Sequence, residues 1–114
     1  MNRLMNKEQY LLMLVAEECA EVAQRATKAA RFGMEEVQVG QHENNADRLL
    51  YEFNDLVAVM STLFDVPPRE LTYEDQQERK KAKLRRYHEY SKKLGKVEEK
   101  DLDWDKLKRN VKLS

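Results

Sequence analysis

The sequence is poor in residues that interrupt helices and in residues that cross-link chains. Its 114 residues include three glycines, two prolines and one cysteine. Glycine and proline are the residues least compatible with a helix interior, so their scarcity favours helices over sheets and turns. A single cysteine, Cys19, excludes a disulfide within the chain, and we expect it to fill a small space in the core.

The chain also lacks a long apolar segment. No run of about 18 apolar residues is present, so a membrane-spanning helix is not expected. The N-terminus has no charged-then-apolar signal pattern, which predicts an intracellular protein. The length suits one domain with a hydrophobic core of its own.

The net charge is zero, but the two signs are segregated along the chain. Residues 1–75 carry 7 basic and 14 acidic side chains, whereas residues 76–96 carry 9 basic and 2 acidic ones. One interpretation is a solvated basic helix folded against an acidic body. The other is an electrostatic clamp, in which the acidic half binds a metal and the basic half binds phosphates.

Hydrophobic periodicity predicts three long helices, over residues 7–32, 45–64 and 73–94. Asn6 and Gln9 form a capping-box pattern before the first helix, and Gly33 is placed to end it. Thr72 and Asp75 resemble a second capping pair. The connection 33–45 is polar and is a candidate lid, with a short helical turn predicted at residues 34–37.

Two stripes run along the first predicted helix. The expected core stripe consists of Leu11, Val15, Val22, Ala26 and Ala29. The neighbouring stripe consists of Tyr10, Leu14, Glu17, Glu18, Glu21, Arg25 and Lys28. On the third helix, a heptad-like stripe consists of Lys80, Lys83, Leu84, Tyr87, Tyr90 and Leu94.

Two acidic motifs carry the chemistry. The first is Glu17-Glu18-Cys19-Ala20-Glu21, and the second is Glu52-Phe53-Asn54-Asp55. Carboxylates three or four residues apart lie on one face of a helix. Glu52 falls within the apolar Leu49/Leu56/Leu63 stripe, where a carboxylate would be desolvated unless a cation compensates it. Such carboxylates facing each other across two helices predict a hard-cation site, of the kind that binds Mg²⁺.

A simpler interpretation applies to each feature alone. Glu17, Glu18 and Glu21 could form a solvated helix face, and Lys28 could be an ordinary exposed lysine. Glu52 is the residue that a solvated face explains least well. No glycine-rich phosphate loop, zinc-ligand spacing or catalytic Ser/His/Asp set is present, so catalysis would depend on metal and water.

With these motifs the chain resembles the MazG-like superfamily of all-α NTP pyrophosphohydrolases. Its signature pairs Glu-Glu-x-x-Glu on one helix with Glu-x-x-Asp on the next. The segments 26–33 and 80–87 also resemble small phage and bacterial members. The resemblance covers about residues 8–95. It implies an all-α bundle of three long helices plus short helices, completed as a homodimer or homotetramer.

The resemblance also implies an activity and a set of site residues. The expected activity is Mg²⁺-dependent hydrolysis of a nucleoside triphosphate, often a deoxynucleotide, to the monophosphate and pyrophosphate, with Mn²⁺ as an alternative metal. The implied metal ligands are Glu18, Glu21, Glu52 and Asp55. The implied catalytic residues are Glu17, Glu18 and Glu52, where Glu17 acts in the second shell, at a second metal or on the water. The expected substrate-binding residues are Lys28, Asn54, Lys80, Lys83 and Tyr87.

We therefore expect a pyrophosphohydrolase-like domain over residues 1–95, followed by a tail or short helix over residues 96–114. The expected location is the cytoplasm, or the host cytoplasm if a phage encodes the chain. Neither a membrane nor a nucleic acid is expected as a partner. The alternative functions are a non-catalytic bundle that binds nucleotide or a protein partner, and a structural protein that binds its partner through the basic helix.

Overall fold

The computed structural model describes residues 3–98 and residue 100. Within them it contains α1 (Lys7–Phe32), α2 (Asn45–Phe64), a 3-10 helix (Pro68–Leu71) and α3 (Glu74–Lys93), and no strand. The expected all-α class is therefore confirmed. Most of the tail or short helix expected over residues 96–114 lies outside the described residues.

The capping signals at both ends of α1 are formed as predicted. The Asn6 side chain accepts a hydrogen bond from the Gln9 backbone N–H at 2.8 Å, and the Asn6 N–H donates to the Gln9 side chain at 3.0 Å. This reciprocal pair satisfies two backbone donors that the helix start would otherwise leave unpaired. At the other end, Gly33 has a φ of 100°, a conformation that favours glycine.

The described residues fall into two compact units, one up to Leu71 and one from Thr72 onward. In the first unit, α1 packs against α2 as an antiparallel helical hairpin. Its buried apolar side chains among the described residues are Leu11, Ala29 and Ala46. This is a small core, since Leu12, Phe53 and Phe64 each remain about half exposed.

The α1 face that packs on α2 is rotated from the expected core stripe. Leu11 and Ala29 are buried as predicted, but Ala26 is exposed. Glu18 is half-buried instead, seven residues after Leu11 and eleven before Ala29, on the same helix face. Cys19 is exposed, so the expectation that it fills the core is wrong.

Asn45 fixes the connection between the two helices. Its side chain is 1% exposed and donates to the Gly33 carbonyl at 2.7 Å and to the Glu36 carboxylate at 3.1 Å. Backbone bonds from residues 45 and 46 to residues 36 and 34 reinforce this attachment. The predicted helical turn at residues 34–37 is not formed, and a simple turn follows Gly33.

The second unit contains α3. Its N-cap is Tyr73, whose side chain makes no capping bond, so Thr72 is not the N-cap that the sequence predicted. The residues of the heptad-like stripe are all exposed, including Leu84 at 43% and Tyr87 at 63%. No residue of α3 is buried.

Candidate metal centre

The antiparallel hairpin brings together carboxylates from both acidic motifs. Glu18 of α1 and Glu52 and Asp55 of α2 each offer one oxygen, and these oxygens all lie within 4.8 Å of one another. We call these three residues the carboxylate cluster. Glu18 and Glu52 are half-buried, and Asp55 is exposed. The cluster is therefore open to solvent on one side.

Local sequence explains how the three side chains meet. Glu52 and Asp55 are three residues apart, so they lie on one face of α2. Leu49 and Leu56 flank Glu52 and are also half-buried, which places this face toward the packed side of the hairpin. The rotation of α1 described above directs Glu18 toward the same region.

In the absence of a cation, the surroundings of the cluster disfavour the ionised form of Glu18. The pKa of Glu18 is raised above its usual value, first by desolvation and then by the negative charges of Asp55, Glu52, Glu21 and Glu17. Each of these effects disfavours the ionised form of the carboxyl group. A cation placed among the oxygens would reverse the sign of the local potential.

The cluster supplies oxygen ligands alone. Carboxylate oxygens suit hard divalent cations such as Mg²⁺ and Ca²⁺, whereas zinc and copper sites generally use histidine or cysteine. Cys19 is exposed and lies outside the group. The donor set therefore favours a hard cation.

The remaining residues expected around the metal lie close in sequence but are not part of the cluster. Glu17 and Glu21 are exposed on α1, and the structure does not bring Glu21 into the cluster. Asn54 is exposed, and its side-chain amide donates to the Leu50 carbonyl at 2.7 Å. That bond directs the Asn54 amide along its own helix.

Two basic side chains follow the first acidic motif on α1. Lys28 is half-buried. Arg25 is also half-buried, and two of its nitrogens, Nε and Nη1, are buried without a hydrogen-bond partner in the described structure. Sequence reasoning placed Arg25 on the acidic stripe without assigning it a role. The sequence feature that could have identified Arg25 is its position seven residues after Glu18, which is two turns farther along the same helix face.

The basic residues expected on α3 belong to the second unit. Lys80, Lys83 and Tyr87 are all exposed there. Their neighbour Lys81 pairs with Glu78 at 3.4 Å, in an exposed i,i+3 ion pair. Neither Lys80 nor Lys83 forms such a pair within the described residues.

A separate cavity of about 1110 Å³ lies where the start of α1 meets the end of α2. It is a cleft whose lining includes no member of the carboxylate cluster. Its apolar lining residues are Leu11, Leu12, Leu63, Phe64, Val66 and Pro67. The cleft was not anticipated from the sequence, because it depends on how the two helix ends meet.

Among the described residues, no helix combines the length and apolar character needed to cross a membrane. Comparisons of the chain with protein-family models, with curated proteins and with solved structures returned no match.

Proposed function

We propose that the chain is a Mg²⁺-dependent nucleoside triphosphate pyrophosphohydrolase of the MazG-like kind that its acidic motifs resemble. The observation that carries the proposal is the meeting of Glu18 with Glu52 and Asp55 across two helices. These residues come from two motifs more than 30 positions apart in the sequence. The resemblance pairs the same two motifs in one metal site.

The spacing of the oxygens suits a divalent cation. In octahedral Mg²⁺ sites the metal–oxygen distance is about 2.1 Å, so ligand oxygens lie about 3 to 4 Å apart. The three oxygens of the cluster lie within 4.8 Å of one another before any cation draws them inward. The raised pKa of Glu18 further supports this fit, because it reflects desolvation first and repulsion from the neighbouring carboxylates second, and a cation would offset both.

In the proposed reaction, water attacks the α-phosphorus and the bond from that phosphorus to the α,β-bridging oxygen breaks. Pyrophosphate leaves and the nucleoside monophosphate remains. Bound Mg²⁺ would supply Lewis acidity at the phosphate oxygens and a more acidic water. Glu18, Glu52 and Asp55 would hold that ion. The exposed carboxylate of Glu17, adjacent to Glu18, would accept the proton of the attacking water.

Cationic side chains would balance the charge that develops on the leaving pyrophosphate. Lys28 is the candidate on α1, where it is half-buried on the helix that carries Glu18. Lys80 and Lys83 are the cationic candidates on α3, and the uncharged Tyr87 is a further candidate for substrate binding there, all by their resemblance to the family segment. Their contribution is a proposal that substitution tests directly.

We further propose that the bundle is completed by a second copy of the chain, as a homodimer or homotetramer. The first unit buries few apolar side chains, and Leu12, Met13 and Phe64 are each about half exposed. The apolar cleft between the helix ends adds to this uncovered surface. Analytical ultracentrifugation across a hundredfold range of concentration tests the proposal, and a single monomeric species throughout would contradict it.

The decisive test of the activity is a hydrolysis screen. Canonical ribo- and deoxynucleoside triphosphates, together with common modified ones, are incubated with the protein and Mg²⁺ or Mn²⁺. The expected products are the monophosphate and pyrophosphate in equal amounts. In water enriched with ¹⁸O, the label should enter the monophosphate, because attack at the α-phosphorus leaves the new oxygen there.

Two other outcomes would replace the proposal. Nucleotide binding without turnover would favour the non-catalytic binding bundle. Orthophosphate and a diphosphate as products would indicate attack at the terminal phosphate and a different hydrolase.

Glu52→Gln, which removes one charged ligand, should abolish turnover while the helical content stays unchanged. Turnover at the wild-type rate in that variant would exclude Glu52 from the site.

A further inference from the structure

Arg25 is a cation whose buried donors lack partners. Its side chain is half-buried, and its Nε and Nη1 atoms are enclosed without accepting groups in the part of the chain that the structure describes. Burying a polar donor without a partner is unfavourable, and more so for a charged group. The remaining nitrogen, Nη2, is not among the enclosed atoms.

The sequence offers Arg25 an obvious partner that it does not use. Glu21 precedes it by four residues, which is the favourable order for an acid–base pair on a helix. Glu21 is nevertheless exposed, and no ion pair or hydrogen bond joins the two side chains. The guanidinium is therefore held on the packed side of α1 and is not neutralised by its own helix.

Arg25 is also the basic residue nearest to Glu18 along α1. Seven residues separate them, which corresponds to about 10 Å along the helix axis and to nearly the same face. Side chains on a helix lean toward its N-terminus, so Arg25 leans toward the turn that carries Glu21 and Glu18. A metal-bound polyphosphate extending from the carboxylate cluster along α1 would meet this guanidinium.

We propose that Arg25 binds a phosphate group of the substrate, beyond the phosphate that would lie at the carboxylate cluster. The inference rests on the proposed function, since it takes the carboxylate cluster as the metal position. A guanidinium is suited to this role because it is planar, permanently charged and able to donate two parallel hydrogen bonds to phosphate. Nη2 is shared by the two pairs of parallel donors of the guanidinium, Nη1/Nη2 and Nε/Nη2. A modest rotation of the side chain would therefore let a phosphate bind Nη2 together with one of the donors that are now buried.

The competing explanation is that the aliphatic stem of Arg25 simply covers apolar surface. The two explanations differ in what substitution does to anion binding. If only the stem matters, Arg25→Gln leaves polyphosphate affinity unchanged. If the guanidinium binds phosphate, the same change lowers affinity about ten- to a hundredfold, as expected for a charged hydrogen bond.

The experiment measures binding of inorganic tripolyphosphate by calorimetry, at saturating Mn²⁺, to the full chain. The variants are Arg25→Gln and Arg25→Lys, with Arg31→Gln as the control. Arg31 is an exposed arginine on the same helix, and its guanidinium stacks 4.9 Å from the Phe32 ring. Binding of Mn²⁺ alone and thermal melting of the metal-free proteins are recorded in parallel.

We expect Arg25→Gln to weaken tripolyphosphate binding at least tenfold, with Mn²⁺ binding and melting temperature preserved. Arg25→Lys should lose less tripolyphosphate affinity, because lysine keeps the charge but not the planar pair of donors. If Arg25→Gln does not fold, the affinity of Arg25→Lys still tests the proposal. Arg31→Gln should match the wild type. Affinities within twofold of wild type for both Arg25 variants would overturn the inference.

The same data separate this inference from the proposed function. Nucleotide turnover by the wild type combined with unchanged tripolyphosphate binding by the Arg25 variants would refute the role of Arg25 and leave the activity standing. Absent turnover, combined with weakened tripolyphosphate binding by these variants, would refute the activity and leave the anion site standing. A wild type that neither binds tripolyphosphate nor hydrolyses nucleotides would refute both.

Discussion

Metal binding at the carboxylate cluster should stabilise the folded protein, and Glu52 should be required for that effect. The three carboxylate oxygens lie within 4.8 Å of one another, and a divalent cation would relieve their mutual repulsion. A ligand at 100 times its dissociation constant stabilises the state that binds it by about 2.7 kcal/mol. For a chain of this length, about 4 °C per kcal/mol predicts a rise in melting temperature of about 10 °C.

The assay is thermal melting followed by circular dichroism, with Mg²⁺ or Mn²⁺ titrated against NaCl of equal ionic strength. The salt series is needed because simple screening also reduces repulsion between exposed charges. Glu52→Gln should abolish the metal-specific rise, and its metal-free form should melt no lower than the wild type. The control is Glu35→Gln, an exposed glutamate outside the cluster. Equal responses to metal and to salt, or a full metal response in Glu52→Gln, would refute the reasoning.

Three further predictions concern pH, the basic helix and the connection. Because the pKa of Glu18 is raised in the folded state, its contribution to metal-free stability should increase as pH falls from neutral toward 4.5; pH-dependent melting should show this increase reduced in Glu18→Gln. Lys80→Ala or Lys83→Ala should lower kcat/KM about ten- to a thousandfold, whereas Lys81→Ala, which breaks an exposed pair, should have little effect in steady-state kinetics. Asn45→Ala should lower the free energy of unfolding by about 2 kcal/mol in urea titrations, because the buried Asn45 amide no longer donates to the Gly33 carbonyl and the Glu36 carboxylate.

The helix boundaries were predictable because they depend on local signals. The Asn6–Gln9 capping box and Gly33 delimit α1 as expected, and the predicted ends of α2 coincide with those observed. The sequence placed the start of α3 within one residue of the observed one, but the N-cap is Tyr73, whereas the spacing of Thr72 and Asp75 had suggested a cap at Thr72. Capping patterns are specific where both reciprocal bonds can form, as they do at Asn6.

The face along which α1 meets α2 was less predictable. Hydrophobic periodicity alone predicted that Ala26 would be buried, whereas the packed face includes Glu18 and leaves Ala26 exposed. A periodicity argument assumes that the most apolar stripe faces the partner helix. Here polar and charged side chains share that face, so the rotation of α1 depends on packing against α2 and cannot be read from α1 alone.

The sequence predicted that the two acidic motifs would meet. It did not predict which of their carboxylates would join the cluster. Three of the four residues expected as metal ligands lie together, while Glu21 remains exposed outside the cluster. Glu18 and Glu52 lie on helix faces that the hairpin turns inward, whereas Asp55 is exposed. Spacing of three or four residues identifies a shared face, but only the rotation of the helix decides which member of the face reaches the partner.

The packed face of the hairpin therefore combines two unfavourable features, a group of like charges and an arginine with unpaired donors. A hairpin that depended only on apolar burial would gain stability by replacing Glu18 and Arg25 with leucine-like side chains. The two features have opposite charge and lie two turns apart on one helix face. Under the proposed function, a single ligand that carries a divalent cation and a polyphosphate would satisfy both at once. The same ligand would account for the small apolar core on that face, since side chains that bind it cannot also fill the core.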